Sequence, residues 1–258
     1  MNLDLHGHRV LVTAGAAGIG LATARAFVAE GARVMVCDVD RHALDALGRS
    51  DAAIAAVECD VSDPDQVDRM FDVVRTRLGG LDTLVNNAGI AGPTGACEDI
   101  ALADWQRTLD VNLTGMFLCA QRAIPLLKAS ANPSMVNLSS AAGRFGFPLR
   151  SPYAATKWGV IGFTRTLSIE LGGSGVRVNA ICPGVVAGDR IDRVMGEKAQ
   201  VRNVPVDVVR DELLGKTSLK RFVAPEEIAN AIVFLASKLG ANIDGHALPI
   251  DGDAQSLA

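Results

Sequence analysis

The chain has 258 residues, 49% of them apolar and only 4% aromatic, with a formal charge of −4. Such a chain can bury a sizeable core of Ala, Val, Leu and Ile, and an acidic balance without a basic stripe argues against nucleic acid as a partner. Met1–His8 lacks the basic start and apolar core of a signal peptide, and no apolar run is long enough to span a bilayer. A soluble, cytoplasmic protein with no membrane partner is expected.

Short apolar runs alternate with helical patterns along the chain. Arg9–Thr13 reads as a strand and Ile19–Glu30 as a helix, with Leu21, Ala24, Phe27 and Val28 on one face. Arg33–Cys37 is the next strand, followed by a short helix through Leu44 and Leu47. Ala53–Glu58 is a third strand, and Pro64 suits the first turn of a helix running to Leu78. Thr83–Val85 is a fourth strand and Trp105–Leu127 a long helix. Met135–Leu138, Arg177–Ile181 and Ala247–Ile250 read as further strands, with a helix over Tyr153–Leu171.

This alternation implies parallel strands joined by helical crossovers, and runs with little polar alternation imply helices on both sheet faces. No linker or low-complexity stretch divides the chain. An α/β fold follows: one domain built on a doubly wound parallel sheet of about seven strands. The polar, charged stretch 188–221 breaks the rhythm and reads as a substrate lid. Cys37, Cys59, Cys97, Cys119 and Cys182 are scattered without a C-x-x-C and read as buried free thiols of a reducing compartment. The four histidines form no metal-like cluster with them, and no metal is expected.

The first strand leads into Thr13-Ala14-Gly15-Ala16-Ala17-Gly18-Ile19-Gly20 and then a helix. Small residues there let a pyrophosphate approach the helix N-terminus, where free N–H groups and the dipole attract anions. The spacing is not G-x-G-x-x-G, but its place in the first strand-turn-helix unit points to a dinucleotide. Asp38 ends the second strand, where a carboxylate accepts hydrogen bonds from ribose hydroxyls and repels the extra phosphate of NADP. The expected cofactor is NAD. Tyr153-Ala-Ala-Thr-Lys157 places a phenol and an ammonium one helical turn apart. A free phenol, with a pKa of about 10, is a poor base near neutrality, and a neighbouring cation favours its ionised form. The pair suits proton transfer at an alcohol oxygen.

Together these motifs resemble the classical short-chain dehydrogenase/reductase family over essentially the whole chain. Thr13, Gly18 and Gly20 match its T-G-x-x-x-G-x-G, and Asn86-Asn87-Ala88-Gly89 matches its N-N-A-G. Asp60-Val61 resembles its adenine-contacting pair, Pro183-Gly184 its turn beside the nicotinamide, and Ser140 stands at the family spacing before Tyr153. The resemblance implies a Rossmann-like fold and a catalytic set of Asn112, Ser140, Tyr153 and Lys157. It implies a cofactor site from Gly15, Gly18, Ile19, Gly20, Asp38, Asp60, Val61, Asn87, Ala88, Gly89, Tyr153, Lys157, Pro183, Gly184 and Val186. Asn112 would hold a water that relays protons from Lys157. It also implies a homotetramer or homodimer joined through Trp105–Leu127 and Tyr153–Leu171.

Two positions depart from the family pattern. Ala14 stands at its first glycine and Gly188 at the threonine that touches the carboxamide, leaving a backbone N–H near Val186 for that contact. The substrate implied is a small polar secondary alcohol or ketone, such as a polyol, sugar or hydroxy acid. The alternatives are an NADPH-dependent reductase of 3-oxoacyl thioesters, which Asp38 disfavours, and a non-catalytic NAD-binding regulator, which the complete Asn-Ser-Tyr-Lys set disfavours. Arg144 and Arg150 precede Tyr153, and Arg190, Arg193, Lys198 and Arg202 lie in the lid. Asp189, Asp192 and Glu197 interleave with the lid cations and favour a self-paired lid over an anion site.

Overall fold

Seven strands form one sheet: β1 (Arg9–Thr13), β2 (Arg33–Asp38), β3 (Ile54–Glu58), β4 (Thr83–Asn86), β5 (Ser134–Leu138), β6 (Arg177–Pro183) and β7 (Ala247–Ile250). Their order is β3-β2-β1-β4-β5-β6-β7, and every neighbouring pair is parallel. The helices are α1 (Gly18–Ala29), α2 (Arg41–Ser50), α3 (Pro64–Leu78), α4 (Leu102–Leu109), α5 (Gly115–Lys128), α6 (Ser151–Gly172), α7 (Asp189–Arg202), α8 (Val206–Gly215) and α9 (Pro225–Ala236). The computed structural model describes residues 2–257. In α7 the side chains of Asp189, Arg190, Glu197, Lys198 and Val201 lie outside that description, and with them most of the lid's predicted charges.

Both sheet faces are covered, as the continuous apolar strands require. Successive side chains of a strand point to opposite faces. Leu11, Met35, Leu84 and Met135 therefore share a core with α3 and α5, centred on the fully buried Phe71. Val10, Val12, Val34 and Val36 face the other way, into a core that holds Phe27 of α1 and Ile228 and Ile232 of α9. Helix starts follow local chemistry. Asp63 caps α3 by accepting from the N–H groups of Asp65 and Gln66, with Pro64 in the first turn, and Gly79 ends the helix at φ 76°. Among the described residues no helix is long and apolar enough to cross a membrane.

The helix expected over Trp105–Leu127 is interrupted. Between α4 and α5 lies a five-residue π-helical turn, Asp110–Thr114. Its cause is tertiary: the Asn112 side chain is clamped to the backbone of Ile90, and Gly115 abuts Val61 so closely that a Cβ would lie 2.7 Å from the valine side chain. Insertions of this kind recur at functional sites. The stretch 188–221 is α7 and α8 packed on each other around Met195, Ala199 and Val209, tied by a two-pronged Arg202–Glu212 pair at 2.6 and 2.7 Å.

Because all strands run one way, their C-terminal ends share one sheet edge. The order reverses between β1, which continues to β2 and β3, and β4, which continues to β5. In open α/β sheets the crevice at this reversal is where ligands bind.

Candidate active site

The turn after β1 occupies one side of that crevice. Thr13 Oγ1 accepts from the backbone N–H groups of Asn87 and Ala88, both at 2.9 Å. In return the Asn87 side-chain amide donates to the carbonyls of Thr13 (3.0 Å) and Ala14 (2.9 Å). Gly15, Gly18, Ile19 and Gly20 carry the chain through the turn into α1, whose N-cap, Ala17, offers no side chain to occupy the first N–H groups. A Cβ at Gly20 would overlap the Ala14 carbonyl oxygen. Ala14 itself takes the left-handed conformation, φ 49°, so the turn keeps a glycine-like path despite the methyl.

Asp38 ends β2, and Asp60 follows β3. Asp38 Oδ2 accepts the Ala16 N–H at 3.1 Å, which sets the carboxylate against the glycine turn, and Oδ1 accepts the Asp40 N–H. Arg41, the nearest cation in sequence, is engaged by Glu58 (3.0 Å) and Asp45 (3.4 Å). Burial works against ionisation of Asp60, but the hydroxyl and amide of Ser62 and the Arg107 guanidinium outweigh it and hold its carboxyl below the usual value. Val61 is buried beside it. Cys37 and Cys59 lie buried directly before the two aspartates, and Cys119 and Cys182 are also buried, whereas Cys97 is exposed, contrary to the sequence reading.

The catalytic candidates converge on the other side. Tyr153 and Lys157 stand one turn apart in the first half of α6, with the lysine Nζ 5.6 Å from the tyrosine ring centroid. The ammonium is buried and donates to the Leu138 carbonyl at 2.8 Å. Ser139 Oγ donates to the Lys157 carbonyl at 2.7 Å, which fixes the end of β5 to α6. Ser140 follows in extended conformation and caps the short 3-10 turn Ala141–Gly143 through the Ala142 N–H. Gly89 fits between Asn112 and Lys157: a Cβ there would lie 3.2 Å from the amide oxygen and 3.4 Å from Nζ.

Asn112 is fully buried. Its oxygen accepts the Ile90 N–H (2.7 Å), and its NH2 donates to the Ile90 carbonyl (3.0 Å) and to Thr156 Oγ1 (3.1 Å). Both amide donors are used, so a water at this residue can be held only by an acceptor oxygen. Pro183 ends β6, and Gly184 and Val186 lead on to α7, with Val186 paired to Val223 in an isolated bridge.

The loop arginines Arg144 and Arg150 both take partners within the chain. Arg144 pairs with Asp251 at 2.7 Å. Arg150 donates to Thr94 Oγ1 (2.9 Å) and the Ala91 carbonyl (2.7 Å) and stacks 5.6 Å over the rings of Phe147 and Tyr153. Ser139 and Arg150 thus brace Lys157 and Tyr153; the sequence did not single out Ser139 and marked Arg150 only as a loop cation. The only signal for either was its place between β5 and Tyr153.

Residues 14–253 match the family model described as enoyl-(acyl carrier protein) reductase. The chain is 40% identical over 257 residues to the 3-alpha-(or 20-beta)-hydroxysteroid dehydrogenase of Mycobacterium tuberculosis, covering 98% of this chain and 91% of that one. It is 36% identical to the 3-oxoacyl-(acyl-carrier-protein) reductase FabG of Thermotoga maritima, over 97% of this chain and 98% of that one. The crystal structure of NAD+-bound xylitol dehydrogenase superposes with a TM-score of 0.89 at 29% identity, covering 96% and 99% of the two chains.

Proposed function

The chain belongs to the short-chain dehydrogenase/reductase family, and from that premise we propose that it is an NAD-dependent oxidoreductase acting on a small polar secondary alcohol or its ketone. One observation carries the reading: the glycine turn after β1, with the Asp38 carboxylate laid against it, and the segment after β5, which holds Ser140 and anchors Lys157 beside Tyr153, lie at the same C-terminal edge of the parallel sheet. The residues fit a dinucleotide. The uncapped start of α1 suits a pyrophosphate, with Gly15, Gly18, Ile19 and Gly20 permitting close approach. Asp38 would hold the adenosine ribose, and Asp60 and Val61 would border the adenine. Asn87, Ala88, Gly89, Pro183, Gly184 and Val186 would line the path to the nicotinamide.

NAD, when bound, supplies the hydride acceptor. In the oxidation direction Tyr153 takes the alcohol proton. Ser140 donates a hydrogen bond to the substrate oxygen and orients it toward the phenol. Lys157, buried and anchored on the Leu138 carbonyl, stands beside Tyr153 and would reach toward the nicotinamide ribose. Asn112 holds the relay water through an acceptor oxygen. The stretch 188–221 acts as the lid of a single domain, and the protein works in the cytoplasm as a homotetramer.

Asp38 and the commitment of Arg41 to two acids favour NAD over NADP. The FabG relative keeps the reductase of 3-oxoacyl thioesters as the second reading. The test is nicotinamide absorbance with NAD or NADP against polyols, sugars, hydroxy acids and a 3-oxoacyl thioester. Turnover with NAD on an alcohol, abolished in Tyr153→Phe while NAD still binds, is the expected result. Preference for NADP and the thioester would replace it with the second reading. Wild-type rates in Tyr153→Phe would overturn the mechanism.

A further inference from the structure

Asp251 follows β7 and is only 5% exposed, although it is an acid in a short acidic tail. A buried carboxylate needs a partner, and its partner is Arg144, at 2.7 Å. Arg144 is fixed in turn to the catalytic serine, because its N–H closes on the Ala141 carbonyl of the 3-10 turn that Ser140 caps. The same tail touches two more parts of the site. The Gly184 N–H donates to the Ile250 carbonyl at 3.0 Å, and a Cβ at Gly184 would lie 2.8 Å from Asp251 Cα. The tail also takes hold of the returning end of the lid. Leu219 donates to the Gly252 carbonyl (3.1 Å), Ser218 to the carbonyl (3.2 Å) and carboxylate (2.6 Å) of Asp253, and Gln255 to the Lys216 carbonyl (2.9 Å).

We propose that the Arg144–Asp251 ion pair is a positioning device that holds the Ser140 turn, the Pro183-Gly184 turn and the end of the lid in one register. Neither residue belongs to the catalytic four, and the device acts through them. A cavity of about 350 Å³ lies beside the pair, lined by Arg144, Arg221, Phe222 and Asp251 among others and by none of Asn112, Ser140, Tyr153 or Lys157. The guanidinium therefore has open space on one flank, with its side chain 33% exposed, and is held by the Asp251 charge together with its stacking 5.3 Å over the Phe145 ring. When the lid end moves, the tail moves with it, and Arg144 carries the displacement to the serine that orients the substrate oxygen. A misplacement of about 1 Å at such a group is worth up to about a hundredfold in rate.

The kinetic part of this inference rests on the dehydrogenase reading, and the exchange part does not. The experiment compares Arg144→Gln, Asp251→Asn, their double variant and Arg144→Lys with the wild type. Hydrogen exchange is measured on the protein alone, and NADH fluorescence, melting temperature, kcat and KM with the alcohol found above. The expected result is that amides in 141–145 and 217–219 exchange faster together in both single variants, with melting lowered more by Arg144→Gln, which leaves the Asp251 charge unpaired, than by the double variant. Among the kinetic constants, kcat falls by about tenfold or more with NADH affinity within about twofold, the double variant is no worse than either single one, and lysine restores most of the rate. Wild-type exchange in either segment, or unchanged kcat, would overturn the proposal, as would a kcat loss that merely follows lost cofactor binding. If a single variant does not fold, because removing one partner leaves a buried charge unpaired, the double variant and Arg144→Lys decide. If no alcohol is turned over by the wild type, the dehydrogenase reading fails and the exchange data still judge the pair.

Discussion

Ala14 holds a conformation that costs an L-residue about 1–2 kcal/mol, and it does so because its carbonyl is pinned by the Asn87 amide at 2.9 Å. Ala14→Gly removes the steric cost but adds about 0.4–1 kcal/mol of backbone freedom to the unfolded chain. The net expectation is a gain of roughly 0.5–1 kcal/mol, with NAD affinity no weaker than before. Urea denaturation checks it, and a destabilised glycine variant would mean that the turn is not strained at Ala14. That Tyr153 and Lys157 stand one helical turn apart was legible from local spacing, whereas Ser140 was picked out through the family resemblance. The pairing of Arg144 was not legible: 107 residues separate it from Asp251, and no local pattern announces that partner. Asn112 was picked out only through the family resemblance, and the use of both its amide donors was not legible, because it depends on Ile90 and Thr156 arriving from other elements.

At the opposite edge of the sheet, three elements are joined through Asp82, which precedes β4. Its carboxylate accepts from Arg9 Nε (2.8 Å), Arg9 Nη2 (2.6 Å), the Arg9 backbone N–H (2.8 Å) and Ser130 Oγ (2.6 Å). Burial opposes its ionisation, yet the Arg9 guanidinium, the Ser130 hydroxyl and the Arg9 amide bring its pKa from 3.8 down to about 2. A carboxyl depressed in the folded state stabilises it above the unfolded pKa, and that stability is lost as pH falls from about 4 through 2. The contribution is about 2 kcal/mol at neutral pH. Asp82→Asn should lose it at pH 7 and converge with the wild type near pH 2 in urea titrations. A gap that stays constant with pH would show that shape, not charge, holds this edge. His8 is linked to Asp82: burial lowers the histidine's pKa from 6.5 against the pull of the Asp82 charge, so both proteins weaken as pH falls below that value, and Asp82→Asn, which lacks that charge, weakens more until the wild-type carboxyl is itself protonated. The strands joined here were legible from apolar runs, because hydrophobic period needs no tertiary information. The π turn between α4 and α5 was not, because the helical period of Trp105–Leu127 continues across it.

For the whole molecule, the pattern of exposed apolar side chains matters most. Single exposed hydrophobics are ordinary on a soluble surface. Here Leu102 (78% exposed), Phe117 (46%), Trp158 (52%) and Ile169 (84%) stand on α4, α5 and α6, the same helices that the family resemblance assigns to subunit contact. Covering them against a second copy is the arrangement under which these side chains leave water. We therefore expect sedimentation of the wild type well above the 27.0 kDa of one chain, at the mass of a tetramer. Phe117→Glu combined with Ile169→Glu places charge on the outward faces of α5 and α6 while leaving the buried residues of both helices untouched, so it should lower the mass and spare the fold. Because α6 also carries Tyr153 and Lys157 near its start, loosening its far end should reduce turnover more than NAD affinity. A wild type that sediments as a single chain, or a double variant that keeps its full mass, would remove these helices from the interface.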